Sequence, residues 1–225
     1  MAHPLDMLTG EEVTRAAELL RATGRLPESA LFAHIVLHEP PKDELARWKP
    51  GDPVDREVRA LIVPGPDLTM VEAVVSVTNG DVREWREVEG MRSALLMTEA
   101  INAIFTTKEH PENPAAMARR GITDLDLVQI DPWPAGTFGY ACEDDRRIAR
   151  CVSFLRADAT DNGYARPVDG LIVHFDLGRN EVIEVIDHGV IPLPPERASY
   201  YAEDQPRLRE GLKPISITQP EGVSF

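Results

Sequence analysis

The spacing of apolar positions changes repeatedly along this chain, and each change marks an element. Val13, Ala16, Ala17 and Leu20 recur at helical spacing behind Thr9 and Glu12, a pair with capping-box separation, and Gly24 follows as a stop. β-branched runs at 31–37, 54–63, 70–77 and 82–88 are expected strands. Asn79-Gly80 between the last two predicts a two-residue hairpin turn with positive φ at both positions, and the proline- and charge-rich stretch 39–53 is expected to be a loop. The second half repeats the order. Met97, Ile101, Ile104 and Phe105 mark one face of a helix, and Asn113-Pro114 is expected to cap a second, short one that stops before Gly121. Strands are expected at 125–130, 137–142, 148–155, 171–177 and 182–186, the last two joined by a turn bearing Gly178. A helix followed by an antiparallel meander, twice over, is an α+β arrangement with each helix covering one sheet face. The boundary is expected near 89–93. Element order relates the halves; sequence identity does not.

Composition narrows the function classes. Hydrophobic residues make up 43% and charged residues 28% of the 225, ordinary values for globular folds. A net charge of −14 and an aromatic content of 6% argue against nucleic acid, whose binding needs basic contacts and stacking platforms. No window approaches the roughly 20 apolar residues of a membrane helix, so no membrane partner is expected. The opening MAHPLDMLTGEEV lacks a basic stretch followed by an apolar one, so no signal peptide is visible. Cys142 and Cys151 flank the polar turn EDDRR. In a hairpin centred there they fall several residues out of register, which predicts free thiols and a cytoplasmic protein.

Candidate chemistry is sparse. His34 and His38 share a strand face but lie too far apart on extended backbone to reach one ion. The stretch 158–163 offers oxygens at Asp158, Thr160 and Asn162, yet it lacks flanking helices and the bidentate Glu of a calcium loop, so an Asx-type turn is expected. Neither a nucleophile elbow nor a glycine-rich phosphate loop nor a Cys-x-x-Cys is present. No catalytic residue and no metal ligand is assigned.

The motifs VDGL, VIDHGV, IPLP and KPISITQPEG, in that order, together with SVTNG, DPWPAGTFGY and GYARPVDG upstream, resemble the N-terminal, non-catalytic domains (N2 and N3) of bacterial copper-containing primary-amine oxidases. The resemblance implies two tandem cystatin-like domains, at 1–92 and 93–198, and a linker at 199–225 toward a catalytic domain. It implies a whole enzyme, expected to be a homodimer, that converts a primary amine, oxygen and water to aldehyde, ammonia and hydrogen peroxide using copper and topaquinone. Neither cofactor is expected in this chain. The family's copper site uses a His-x-His pair and a distant third histidine, and its quinone comes from a tyrosine preceded by Asn. The six histidines form no such pair, and none of the four tyrosines follows an Asn. The resemblance further implies that Pro132, Trp133 and Tyr164 line the mouth of a substrate channel for small primary amines. Trp133 and Tyr164 read equally well as anchors packed over a sheet edge. The expected function is a non-catalytic part of such an oxidase, shaping the channel mouth and packing on the catalytic domain. The alternatives are a stand-alone ligand- or protein-binding module and a regulatory relative that docks on a complete oxidase.

Overall fold

A computed structural model describes residues 3–66, 68–143 and 146–195, together with 201, 209, 211, 213–218, 220 and 222. It is α+β. Helix α1 (Gly10–Ala22) is followed by β1 (Leu31–His38), a short α2 (Lys42–Arg47), β2 (Glu57–Val63), β3 (Met70–Ser76) and β4 (Asp81–Val88). Then come α3 (Met97–Glu109), α4 (Glu112–Arg119), β5 (Val128–Pro134), β6 (Ile148–Leu155), β7 (Pro167–Asp176) and β8 (Glu181–Asp187). The strands form two separate four-stranded antiparallel meanders, β1-β2-β3-β4 and β5-β6-β7-β8. Each has its own core beneath its own helix, the expected helix-on-sheet arrangement. Ala16 and Leu20 close on Val58, Ala60, Ile62, Ala73 and Val75 in the first unit. Ala103 and Met117 close on Ile130, Cys151, Leu171, Val173 and Phe175 in the second.

The two units share devices that their sequences do not advertise. In α1, Glu12 accepts from the Thr9 backbone N–H at 2.8 Å and from Arg56, the residue before β2. In α3, Glu99 accepts from the Leu96 N–H at 3.0 Å and from both terminal nitrogens of Arg147, the residue before β6, at 2.5 and 2.7 Å. Each arginine therefore bolts the first turn of a helix to the entry of its sheet's second strand. Arg56 also donates to the carbonyls of Pro4, Asp6 and Met7, and Arg147 to that of Ala94, so both collect the chain leading into the helix. The hairpins match as well. Ser76 pairs with Asp81 and Asp176 with Glu181, so four-residue loops join β3 to β4 and β7 to β8. The Ser76 hydroxyl accepts from the Asn79 N–H, and an Asp176 carboxylate oxygen accepts from the Gly178 and Arg179 N–H groups.

Several expectations are corrected. The 79–80 turn has positive φ at Gly80 alone (78°); Asn79 instead donates its side-chain amide to Asp55. The stretch 39–53 contains α2, which buries no residue. Helix α4 begins at Glu112 with Pro111 as its first cap, so Asn113 lies inside it, fully buried. Helix α3 forms where expected but is rotated: Glu99, Ala103 and Thr107 face the core and Ile104 packs against it, while Met97, Ile101 and Phe105 are exposed. The Glu99–Arg147 pair sets that rotation, and the small Ala103 lets the helix approach the sheet. Residues 125–127 form a 3-10 turn before β5, and 137–142 form no strand. Cys142 lies in a 3-10 turn (Ala141–Glu143), while Cys151 lies in β6 opposite Pro132 and Val173. Both thiols are free, separated by the sheet rather than by hairpin register. In 158–163, Asp158 accepts from the Thr160 N–H and hydroxyl and Asn162 from the Tyr164 N–H, the expected turn. The 199–225 linker falls largely outside the described residues.

Breaking a buried ion pair from one side leaves the other charge unpaired and costs about 3–5 kcal/mol. Arg147→Met is expected to destabilise the second unit by about 3 kcal/mol, read as a lower urea midpoint at unchanged slope. A second outcome concerns acid. The Arg56 hydrogen bonds, against a smaller opposing effect of burial, hold Glu12 below the usual carboxylate range. Arg120 and Arg119, with the Gly189 N–H, hold Asp187 far below it. Both pKa values are depressed on folding, so this stability is complete above the unfolded carboxyl value of about 4 and is lost as pH falls below it. Asp187→Asn is expected to flatten the fall of the urea midpoint between about pH 5 and pH 3.

Candidate functional site on the outer face of the second sheet

Strand alternation gives the second sheet two faces, one under α3 and α4 and one away from them. Across the outer face runs a row in register, Trp133 on β5, Arg150 on β6, His174 on β7 and Glu184 on β8. The segment 135–143 folds back over this row, helped by left-handed backbone at Gly136 and Gly139. Glu143 anchors it: its carboxylate is nearly inaccessible, accepting from the Phe138 and Tyr140 N–H groups at 2.6 and 3.2 Å and from Arg150 at 2.5 Å. Burial pushes the Glu143 pKa up, but the loop N–H groups and the Arg150 charge together outweigh it, and the net direction is down. The loop thus closes around a carboxylate, which accounts for the missing 137–142 strand.

The Arg150 guanidinium also lies over the rings of Phe138 and Tyr140, 4.9 and 5.7 Å from their centroids. Tyr164, in a 3-10 turn (Gly163–Ala165), donates its hydroxyl to Asp131 of β5 at 2.6 Å and meets Phe154 edge-on at 4.9 Å. Trp133, Phe138, Tyr140 and Tyr164 are each more than half exposed. Of the three residues singled out from the sequence, Trp133 and Tyr164 share this outer face through Asp131. Pro132 belongs by alternation to the opposite side of β5, opposite Cys151. Pro132 and Trp133 lie within the edge strand β5, and Tyr164 in its turn.

The row carries a cluster that linear spacing hides. Cys142, His174 and Glu184 place one donor atom each within 4.8 Å of one another, the only such group of three or more acidic, histidine or cysteine side chains among the described residues. It was missed because the members are 32 and 10 residues apart and meet only through the folded-back loop and strand register. The described residues include every histidine, and this group is not the three-imidazole arrangement implied for copper. With no tyrosine following an Asn either, the residues present fit neither copper nor the quinone of the resemblance. Among the described residues, no helix is long and apolar enough to cross a membrane.

Comparison with known proteins covers both units. A family profile described as "AGAO-like N2 domain" matches residues 9–85, and one described as "Copper amine oxidase, N3 domain" matches 97–204. A primary amine oxidase of Arthrobacter sp. (strain P1) is 37% identical over 226 residues, covering all of this chain and 34% of that protein. A histamine oxidase of Arthrobacter globiformis is 33% identical over 230 residues, covering 99% and 33%. This chain therefore spans about one third of the length of these relatives. A crystal structure of a copper-containing benzylamine oxidase from Hansenula polymorpha shares the fold, with a TM-score of 0.77 at 22% identity over 98% of this chain and 37% of that one.

The two thiols should react very differently. Burial raises the Cys151 pKa to about 11, against a smaller lowering by Thr107, whereas Cys142 is only half-buried in its turn. Iodoacetamide on the folded chain is expected to label Cys142 and spare Cys151 until denaturant is added, as read by peptide mass spectrometry.

Proposed function

Because this chain belongs to the copper amine oxidase family, as its N2 and N3 domains, we propose that it is the non-catalytic N-terminal part of a copper/topaquinone primary-amine oxidase. In this reading the boundary between its two domains lies near 92–93, and residues from 199 onward lead toward a catalytic domain. The observation that carries the docking role is the exposed stripe of Met97, Ile101 and Phe105 on α3 (76%, 44% and 60% exposed). Three apolar residues at i, i+4 and i+8 make one continuous helix face, the kind that normally seeks a partner. The remaining two thirds of a relative-sized polypeptide supply that partner. Copper and quinone would bring redox chemistry from there. This chain's own residues would position the module and border the route of the amine.

The aromatic outer face supports the second half of the reading. Trp133 and Tyr164 offer ring area to an aryl-alkyl amine, and ring faces attract an ammonium by about 0.5–2 kcal/mol. Asp131, hydrogen-bonded to Tyr164, adds a negative charge beside them. A stand-alone binding module ranks second, since it leaves the α3 stripe in water. The test uses the full-length gene product. Trp133→Ala is expected to lower kcat/KM for phenylethylamine several-fold while leaving methylamine unaffected, and the present chain alone is expected to produce no hydrogen peroxide. Equal effects on both amines would sink the channel-mouth role. Sustained peroxide from the chain alone would sink the non-catalytic one.

A further inference from the structure

We propose that Cys142, His174 and Glu184 form a binding site for a divalent cation of the Zn2+ class, independent of the family's copper chemistry. His174 Nδ1 lies 3.7 Å from Cys142 Sγ and 2.8 Å from Glu184 Oε1. Thiolate, imidazole and carboxylate together are the donor mixture that zinc takes, commonly with a fourth position open to water.

One donor separation already suits coordination, and all three donor atoms lie within 4.8 Å of one another. Zinc bonds of about 2.3 Å to sulfur and about 2.0 Å to nitrogen, at a tetrahedral angle, separate those two donors by roughly 3.5 Å. The Cys142–His174 pair already stands near that value. The Glu184 carboxylate needs to move outward by about half an ångström to make room. It can, because its side chain is about half exposed on the edge strand β8. His174 itself is held rigidly: it is 3% exposed, sits within β7, and meets the Tyr140 ring edge-on.

The same geometry argues against a nucleophile relay. A Cys-His-acid triad uses opposite nitrogens of the imidazole, one toward the thiol and one toward the carboxylate. Here both partners approach the same nitrogen. Three donors converging on one point suit an ion and leave no path for handing a proton across the ring. Charge agrees as well. Two anionic donors and a neutral imidazole balance a dication, and the neighbouring Arg150 is already engaged by Glu143.

Co2+ and Zn2+ added to the present 225-residue chain are the probes. Stoichiometric Co2+ is expected to give the thiolate-to-cobalt charge-transfer band and visible bands of a tetrahedral site, both abolished by Zn2+. Losing even an outer partner of a metal ligand weakens affinity by about 10- to 100-fold, so Glu184→Gln is expected to weaken Co2+ binding by at least about 100-fold, and Cys142→Ser to remove the charge-transfer band. Without any substitution, Zn2+ is expected to slow alkylation of Cys142 at least tenfold. Absence of the cobalt bands, their survival in Cys142→Ser, or an unchanged alkylation rate in Zn2+ would each overturn the assignment.

Discussion

An arginine standing just before the second strand of each sheet, gripping the carboxylate in the first turn of the covering helix, is the contact on which the architecture depends. Arg56–Glu12 and Arg147–Glu99 do the same work in two units with little else in common by sequence. Each pair brings together three things that hydrophobic burial alone leaves loose: the axial position of the helix, its rotation, and the path of the chain entering it. Apolar contact is non-directional and would accept several rotations of α3. A bidentate, largely buried guanidinium–carboxylate pair accepts one. That is why the more apolar face of α3 points outward while Glu99 and Thr107 point in.

This outward rotation shapes the exterior of the second unit. It leaves an apolar stripe on one side of the second unit, while the folded-back 135–143 segment creates an aromatic surface on the other. Both features lie in the N3 unit; in the first unit the helix buries its apolar face in the ordinary way, through Ala16 and Leu20. The second unit thus combines an ordinary core with two exposed surfaces of unusual composition.

The Arg150–Glu143 pair plays a local version of the same part. It converts a stretch with strand-like composition into a closed loop by satisfying backbone N–H groups with a carboxylate, and so carries Cys142 over the sheet to His174. Strand register already joins His174 to Glu184; without that fold-back, the thiol would have no reason to meet them. The cluster is a product of loop closure, and it lies on the same face as the exposed rings.

Local spacing alone determined the order of helix and meander in both units and the α1 capping box, because these rest on patterns and contacts between residues near in sequence. The order of short motifs pointed to the family. Tertiary structure decided the rotation of α3, the loss of the 137–142 strand, and the face to which Trp133 and Tyr164 belong but Pro132 does not. Each of these turns on a charged partner that spacing does not reveal, Arg147 for Glu99 and Asp131 for Tyr164 tens of residues away, and Arg150 for Glu143 seven residues on. Periodicity records how a segment divides its own apolar and polar positions; it carries no information about which distant charge will come to lie beside it.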